Sequence, residues 1–541
     1  MCGPGTAILM AEKRKIYYRN PVDGKGGLNM GSFSKKEYLS LKMPTEEVPV
    51  SDQKRIELAL NAQGYEQVTM PLKVLRKLYP LCRDAGFDIT VTLVHREFDW
   101  VITDVEAGDT TACHYGLAVD YGSTTVIMQL VDLCSGAVIA EETAVNAQVK
   151  YGTDILTRIT YAMEDVSHVA DLQRATADTF RQLLEKLTEN AGIQADKCPI
   201  MIVSGNTTMI HFLLGLDGWT VFASPFAPVT ADPGFLWGSE LGMDFEGLLY
   251  IIPAASNYVG GDIVSGLLRL DIHKRGQISM FFDIGTNGEL VLGNKDWMMA
   301  GAGAAGPALE GYISRYGMRA APGAIDSVKI YGRELSFTTI NHQKAVGICG
   351  SGIIDLLAQM RLNGWINIAG VLEPDASERI VFLPEEKEYA AVYATEEESA
   401  TGSPLYFSQT DIYQYLDTKA AAYTMVDCLL ESAGVSVDEL AHCYLSGSFP
   451  AHSDLESAIT IGIFPDLPRE KYVLVKNTSL EGARIMLLDH SKLAEAKELA
   501  ENIYCVQFAS VPDFLVRMQA AKFIPHTDVN RFPSVRIEKA Q

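Results

Sequence analysis

The chain has 541 residues, of which 48% are hydrophobic and 21% charged, with a formal net charge of −23 and a pI of about 4.9. This length exceeds what one hydrophobic core supports and predicts several domains. The acidic balance excludes a broad nucleic-acid footprint, which needs a basic surface, and no apolar run approaches the roughly 18–20 residues that cross a bilayer.

Near the N-terminus a short apolar piece precedes the basic residues, the reverse of a secretory signal, so a cytoplasmic protein is expected. Residues 1–49 mix basic and polar residues with Gly24, Gly26, Gly27 and Gly31 and predict a flexible arm. From 50 to 112 a helix-like stretch is followed by the strands DITVTLVH and FDWVITDVEAGD, which predicts a small α+β domain.

The strand LAVD then runs into Asp120-Tyr121-Gly122-Ser123, followed by Thr124, Thr125, the strand VIMQLVDL and the turn Ser135-Gly136. Two helices follow. The first has Asp154 as its expected N-cap, and the second turns Leu172, Thr176, Phe180, Leu183, Leu184 and Leu187 inward and stops at Gly192. The strand PIMIVSGN ends at Asn206, and YVGGDIVSG places Asp262 at a second strand-to-helix junction. N-capping and ligand contact both explain a polar residue at such a junction.

The first hairpin then recurs. The strand MFFD runs into Asp283-Ile284-Gly285-Thr286-Asn287, and ELVLGN follows. Glu289 either assists this loop or is a strand-face glutamate. Cys349, in GICGSG, is expected to be packed against a close backbone turn. The charged stretch 385–402 predicts a solvated insertion, and the strand AHCYLSGSF ends in a third glycine loop at Gly447 and Ser448. Strands alternating with helices predict an α/β architecture.

Two facing Gly/Ser/Thr turns would cradle phosphate oxygens with backbone amides. An aspartate at each strand end would hold Mg²⁺ directly or through water. None of the nine cysteines lies closer to another than Cys428 does to Cys443, so no iron–sulfur ligand run exists and no such cluster is expected in this chain.

The paired hairpins and the late glycine loop resemble the actin/Hsp70/sugar-kinase ATPase superfamily. The ordered strings NAQVKYGTDILTRI, SGNTTMIHFLLG, YVGGDIVSG, FFDIGTNGELVLGN, AAGPALEG, GICGSGIID and NTSLEGA further resemble the reductive activators of corrinoid enzymes, over roughly residues 112–530. The resemblance implies a duplicated actin-like (ribonuclease H-like) fold behind the small domain. Its subdomains would be 113–250 and 251–541, the second carrying the acidic insertion.

ATP and Mg²⁺ are the implied cofactors, with Asp120 and Asp283 as catalytic and metal-holding residues. Gly122, Ser123, Thr124, Thr125, Asn206, Asp262, Gly285, Thr286, Asn287, Gly447 and Ser448 would line the nucleotide. The implied activity returns the cobalt(II) of a methyltransferase corrinoid protein to cobalt(I). A separate ferredoxin-like donor would supply the electron, and a homodimer stays open. The alternative is an ATPase activator of another low-potential enzyme or a small-molecule kinase of the same fold. The chain departs from the family in lacking a ferredoxin-like cluster domain, in reading DYGSTT at the first loop, and in placing Pro450 beside the third.

Overall fold

The computed structural model describes residues 31–285, 287–303, 311, 313–447 and 453–536. It begins with β1 (Ser34–Ser40), α1 (Asp52–Ala62), β2 (Val68–Thr69), β3 (Asp88–His95) and β4 (Trp100–Ala107), which build a four-stranded sheet in the order β1-β3-β4-β2. This corrects the expected arm, because residues 34–40 pair antiparallel with β3 from Ser34↔Val94 to Ser40↔Asp88. The strand is hard to read because SKKEYLS is polar, and a ladder of backbone hydrogen bonds needs no apolar side chains. Only Phe33 and Leu39, at its ends, are buried hydrophobics.

The next sheet is built from β5 (Tyr115–Tyr121), β6 (Thr125–Asp132), β7 (Val138–Val145), β8 (Ile200–Gly205), β9 (Gly234–Trp237) and β10 (Leu248–Ile251), in the order β7-β6-β5-β8-β10-β9. Between β7 and β8 run α2 (Ile155–Glu164) and α3 (Ser167–Ala191). Asp154 caps α2, accepting from the Thr157 amide at 2.9 Å. All six of the inward positions expected on α3 are buried, and Gly192 closes it in the left-handed conformation at φ 65°. Helix α4 (Thr207–Leu213) follows β8, and α5 (Gly261–Leu270) follows β10.

The second half repeats this order. It contains β11 (Ser279–Ile284), β12 (Gly288–Gly293), β13 (Met298–Gly303), then β14 (Ala324–Tyr331), β15 (Glu334–Thr339), β16 (Gly347–Ile348), α6 (Gly350–Leu362), β17 (Ile380–Leu383), β18 (Glu388–Ala394), β19 (Leu405–Ser408), α7 (Gln409–Ala433), β20 (His442–Ser446) and β21 (Tyr472–Leu474). Its main sheet reads β21-β20-β11-β12-β13, continued by β22 (Tyr504–Cys505). In both halves an antiparallel three-stranded meander is extended by two parallel strands, the inner one paired to the meander's first strand and the outer one to the inner. This is the duplicated actin-like fold.

Two further expectations change. Within 385–402, residues 388–394 form β18, the middle strand of a β17-β18-β19 sheet, with Ala390, Ala391 and Tyr393 fully buried. The acidic residues flank a run, YAAVYA, that is apolar enough to pack. The division at 250/251 also fails late in the chain. Helices α8 (Thr478–Leu488) and α9 (Lys492–Asn502) return toward the first sheet. Leu480, Ala483, Met486 and Leu487 share one core with Ala118, Ile200 and Ile202 of that sheet and with Phe281 and Val291 of the second.

Candidate functional site

Asp120 and Asp283 end the first strands of the two hairpins, and each faces a serine across a parallel pairing. Asp120 is in register with Ser204 on β8, and Asp283 with Ser446 on β20. The residue after each serine is a glycine pressed against its neighbour strand. A Cβ on Gly205 would lie 2.9 Å from the Tyr121 carbonyl oxygen, and one on Gly447 would lie 2.0 Å from that of Ile284. Gly447 also has φ +104°, a conformation that favours glycine. The two halves therefore bring the same Ser-Gly corner beside the same Asp-x-Gly turn.

The first turn is closed by the Gly122 amide donating to the Thr125 carbonyl at 3.1 Å. Here a Cβ would come within 2.5 Å of that same oxygen, so only glycine fits. Asn146 braces the turn, donating from Nδ2 to the Gly122 carbonyl at 3.0 Å and from its amide to the Thr124 carbonyl at 2.9 Å. Ser123 is buried. In the second turn the Gly285 amide donates to the Asn287 carbonyl at 2.9 Å, and among the described residues, its chain neighbours apart, no atom lies within 4 Å of where its Cβ would be. Thr286, Ser448 and Pro450 lie outside the described residues.

Asn206 is an N-cap, its Oδ1 accepting from the Met209 amide at 2.9 Å. Its junction abuts that of α5, because a Cβ on Gly260 would lie 2.5 Å from the Asn206 Cα and 2.8 Å from an Asp262 carboxylate oxygen. Asp262 accepts from the Ile263 amide at 2.9 Å. Cys349 is packed as expected, with Sγ 3.2 Å from the Ile325 carbonyl oxygen and 3.3 Å from the Ser351 hydroxyl.

Asp120, Asp262, Asp283 and Glu289 converge; burial is the largest perturbation of each, and for Asp262, Asp283 and Glu289 the charge of a neighbouring acid comes next. Burial, then Asp120, pushes Asp283 up to about 7. Burial, then Asp283, raises Asp262, and burial, then Asp262 and Asp283, holds Glu289 well above the carboxylate range. Asp120 is also raised by burial. Opposing this, the Ser479 hydroxyl and the Asn477 amide donate to its two oxygens at 2.7 Å each.

Among the described residues, none of the four acids enters an ion pair. Four convergent carboxylates without a countercharge are unfavourable unless protonated or matched by a cation. Their hard oxygen donors fit Mg²⁺. They do not close into a bare ligand shell. Among the described residues the one trio with ligand atoms within 4.8 Å of one another is Asp271, His273 and Glu495. That trio already holds the Lys274 ammonium, 2.7 Å from Glu495 and 2.9 Å from Asp271. A Mg²⁺ in the cleft would therefore meet the acids partly through water.

Sequence reasoning had Asp120, Asp283 and Asp262 as site residues and left Glu289 open. It missed Asn477, Ser479, Ser204 and Ser446. The repeated Ser-Gly after β8 and β20 was a usable signal for the two serines. Asn477 and Ser479 lie in the string NTSLEGA, which marks the segment, but their contact with Asp120, 357 residues from Asn477, is not readable from it.

Three family profiles match the chain. One described as the RACo linker region matches residues 25–112, one as the RACo middle region matches 115–275, and one as the C-terminal domain of RACo, the ASKHA domain, matches 277–536. The corrinoid activation enzyme RamQ of Eubacterium limosum is 27% identical over 409 residues, 74% of this chain and 69% of that protein. The Co(II) methylated amine-specific corrinoid protein reductase of Methanosarcina barkeri is 25% identical over 417 residues, 72% of this chain and 73% of that one. A solved structure, a reductive activator for corrinoid, iron-sulfur protein, superposes with a TM-score of 0.83 at 33% identity, over 95% of this chain and 82% of that one.

Proposed function

The chain belongs to the RACo family of reductive activators of corrinoid proteins, and from this premise we propose that it uses ATP to return a methyltransferase's corrinoid protein from cobalt(II) to cobalt(I). The observation that carries the ATP part is the meeting of Asp120, Asp262, Asp283 and Glu289 between two equivalent hairpin turns.

In this reading the turn amides around Gly122 and Gly285 take the phosphates, and Asp120 and Asp283 hold Mg²⁺ directly or through water. When bound, Mg²⁺ neutralises charge on the β- and γ-phosphate oxygens. Asp262 and Glu289 bind a proton more tightly than ordinary carboxylates, so in their ionised forms they are suited to orient an attacking water or take its proton. Asn206 stays an N-cap and supports the junction rather than the ligand. Gly447, pressed against the Ile284 carbonyl, would face the nucleoside.

Energy is required because each ~59 mV of unfavourable one-electron potential costs about tenfold in equilibrium. Closure of the two halves on ATP would favour a complex in which the cobalt ligation changes. In this reading a separate ferredoxin-like protein supplies the electron.

The test follows the cobalt(II) absorbance of a candidate corrinoid protein mixed with this protein, a low-potential reductant, Mg²⁺ and ATP. Cobalt(I) should form only with ATP, and ATP hydrolysis should rise when the cobalt(II) protein is added. ATP turnover without a response from any candidate corrinoid protein would remove the activator reading. Phosphorylation of a small metabolite would replace it with a kinase.

A further inference from the structure

The first turn of α8 reaches both phosphate-loop aspartates. Asn477 is the N-cap of this helix, and its Oδ1 accepts from the Leu480 amide at 2.9 Å. That bond fixes which end of the amide faces the cleft, so Nδ2 donates to Asp120 Oδ2 at 2.7 Å. Two residues on, the Ser479 hydroxyl donates to Asp120 Oδ1 at 2.7 Å and lies 2.9 Å from the Ser204 hydroxyl. The Ser479 proton is directed to the carboxylate, and the Ser204 hydroxyl, which also donates to the Gly261 carbonyl at 3.2 Å, packs against the Ser479 oxygen.

Between them Thr478 turns to the other half. Its Oγ1 is 3.1 Å from the hydroxyl of Ser446, which stands in register with Asp283 on the neighbouring strand and partly offsets the rise in that carboxyl's pKa. Ser204 and Ser446 are equivalent positions in the two sheets. The turn is fixed from behind by α5, whose Ser265 hydroxyl donates to the Ser479 carbonyl at 2.6 Å. Three consecutive residues thus tie Asp120 directly, and Asp283 through one serine, to a single helical turn.

We propose that Asn477, Thr478 and Ser479 are positioning residues that set both phosphate-loop aspartates, so that one turn of α8 controls how the two halves together recognise a Mg²⁺–nucleotide complex. This rests on the ATP reading above and assigns the regulation of that site. The two donors orient the Asp120 carboxylate and favour its ionised form, leaving its remaining lone pairs for a cation or its water. Without them the carboxylate can pivot among three other acids.

The test compares the 541-residue chain with its Ser479→Ala, Ser479→Thr, Asn477→Ser and Thr478→Val variants, measuring ADP affinity by calorimetry in Mg²⁺ and in EDTA. Asn477→Ser keeps a good N-cap while removing the amide donor. Ser479→Thr keeps the hydroxyl.

Ser479→Ala and Asn477→Ser should each cut the Mg²⁺-dependent gain in ADP affinity about tenfold, the scale of one charge-assisted hydrogen bond. Thr478→Val should cut it by less, because it acts through Ser446. Ser479→Thr should keep the gain, and affinities in EDTA should stay close to wild type. An unchanged Mg²⁺ gain in Ser479→Ala and Asn477→Ser overturns the proposal. So does an equal loss with and without Mg²⁺, which marks general damage to the cleft. A wild-type chain that binds no ADP in either buffer overturns the ATP reading as well, whereas Mg²⁺-enhanced wild-type binding with unaffected variants overturns this proposal alone.

Discussion

Asp120 and Asp283 occupy equivalent strand ends, yet their surroundings differ. Asp120 has two donors on its oxygens, while Asp283 has one serine and faces the charge of Asp120. Because the folded Asp283 carboxyl is pushed up to about 7, the folded chain binds a proton there that the unfolded chain has released. Between the usual carboxylate range and about pH 7 this group therefore makes stability fall as pH rises. Asp262 and Glu289 push in the same direction. In Mg²⁺-free buffer the melting temperature should fall as pH is raised from 5 to 7.5. In Asp283→Asn that fall should be shallower, and the variant should be the more stable protein at pH 7.5. Thermal scans across pH check this, and a slope identical to wild type would contradict the placement of Asp283 in the acidic cluster.

Helices α5 and α8 cross where Gly482 of α8 has no side chain to hold it off Ser265 of α5. A Cβ on Gly482 would lie 2.0 Å from the Ser265 carbonyl oxygen, a backbone atom that cannot swing away. Across α5, Gly266 is pressed against the Phe281 ring of the second sheet, where a Cβ would meet it at 2.8 Å. Both helices start at the acidic cleft and end in the core that joins the two sheets. Gly482→Ala should force the helices apart, costing on the order of 1–3 kcal/mol, and should lower nucleotide affinity along with stability. Urea unfolding and ADP binding measured together would show both losses. A variant with wild-type values for each would mean that the crossing tolerates separation.

The small N-terminal domain is fastened to the first actin-like half by charge and by rings. Glu106 on β4 takes the Lys197 ammonium at 2.6 Å and also pairs with Lys36 on β1. The Lys73 ammonium sits 4.1 Å from the centre of the Trp237 ring. The Phe33 ring centre is 4.7 Å from that of His490 and 5.7 Å from that of Tyr250.

At the other end of the chain, a clasp closes the second half. Lys419 on α7 is fully buried, and its ammonium donates to the carbonyls of Ala521, Phe523 and Pro525. Burial holds its pKa well below the usual lysine value, and its three N–H groups meet three carbonyls with no acid needed. Lys419→Met would strand those carbonyls at about 1–3 kcal/mol each. It should release the segment after Ala521 to limited proteolysis, while a protected segment would show that packing alone retains it.

The sequence by itself determined the duplication, the two Asp-x-Gly turns and the helix faces, because these are local. A strand running into a tight glycine turn, and apolar residues at helical spacing, carry their meaning within a dozen residues. It misjudged β1 and β18, where strand formation depends on a partner's backbone more than on the strand's own composition. Tertiary structure alone decided that Asp262 and Glu289 join Asp120 and Asp283, that α8 returns from the far end of the chain to the first sheet, and that Asn477 and Ser479 reach Asp120. The physical reason is the same in each case. A carboxylate's chemistry is set by the charges and donors within a few ångströms, and here those come from segments hundreds of residues away that only the folded sheets and crossing helices bring together.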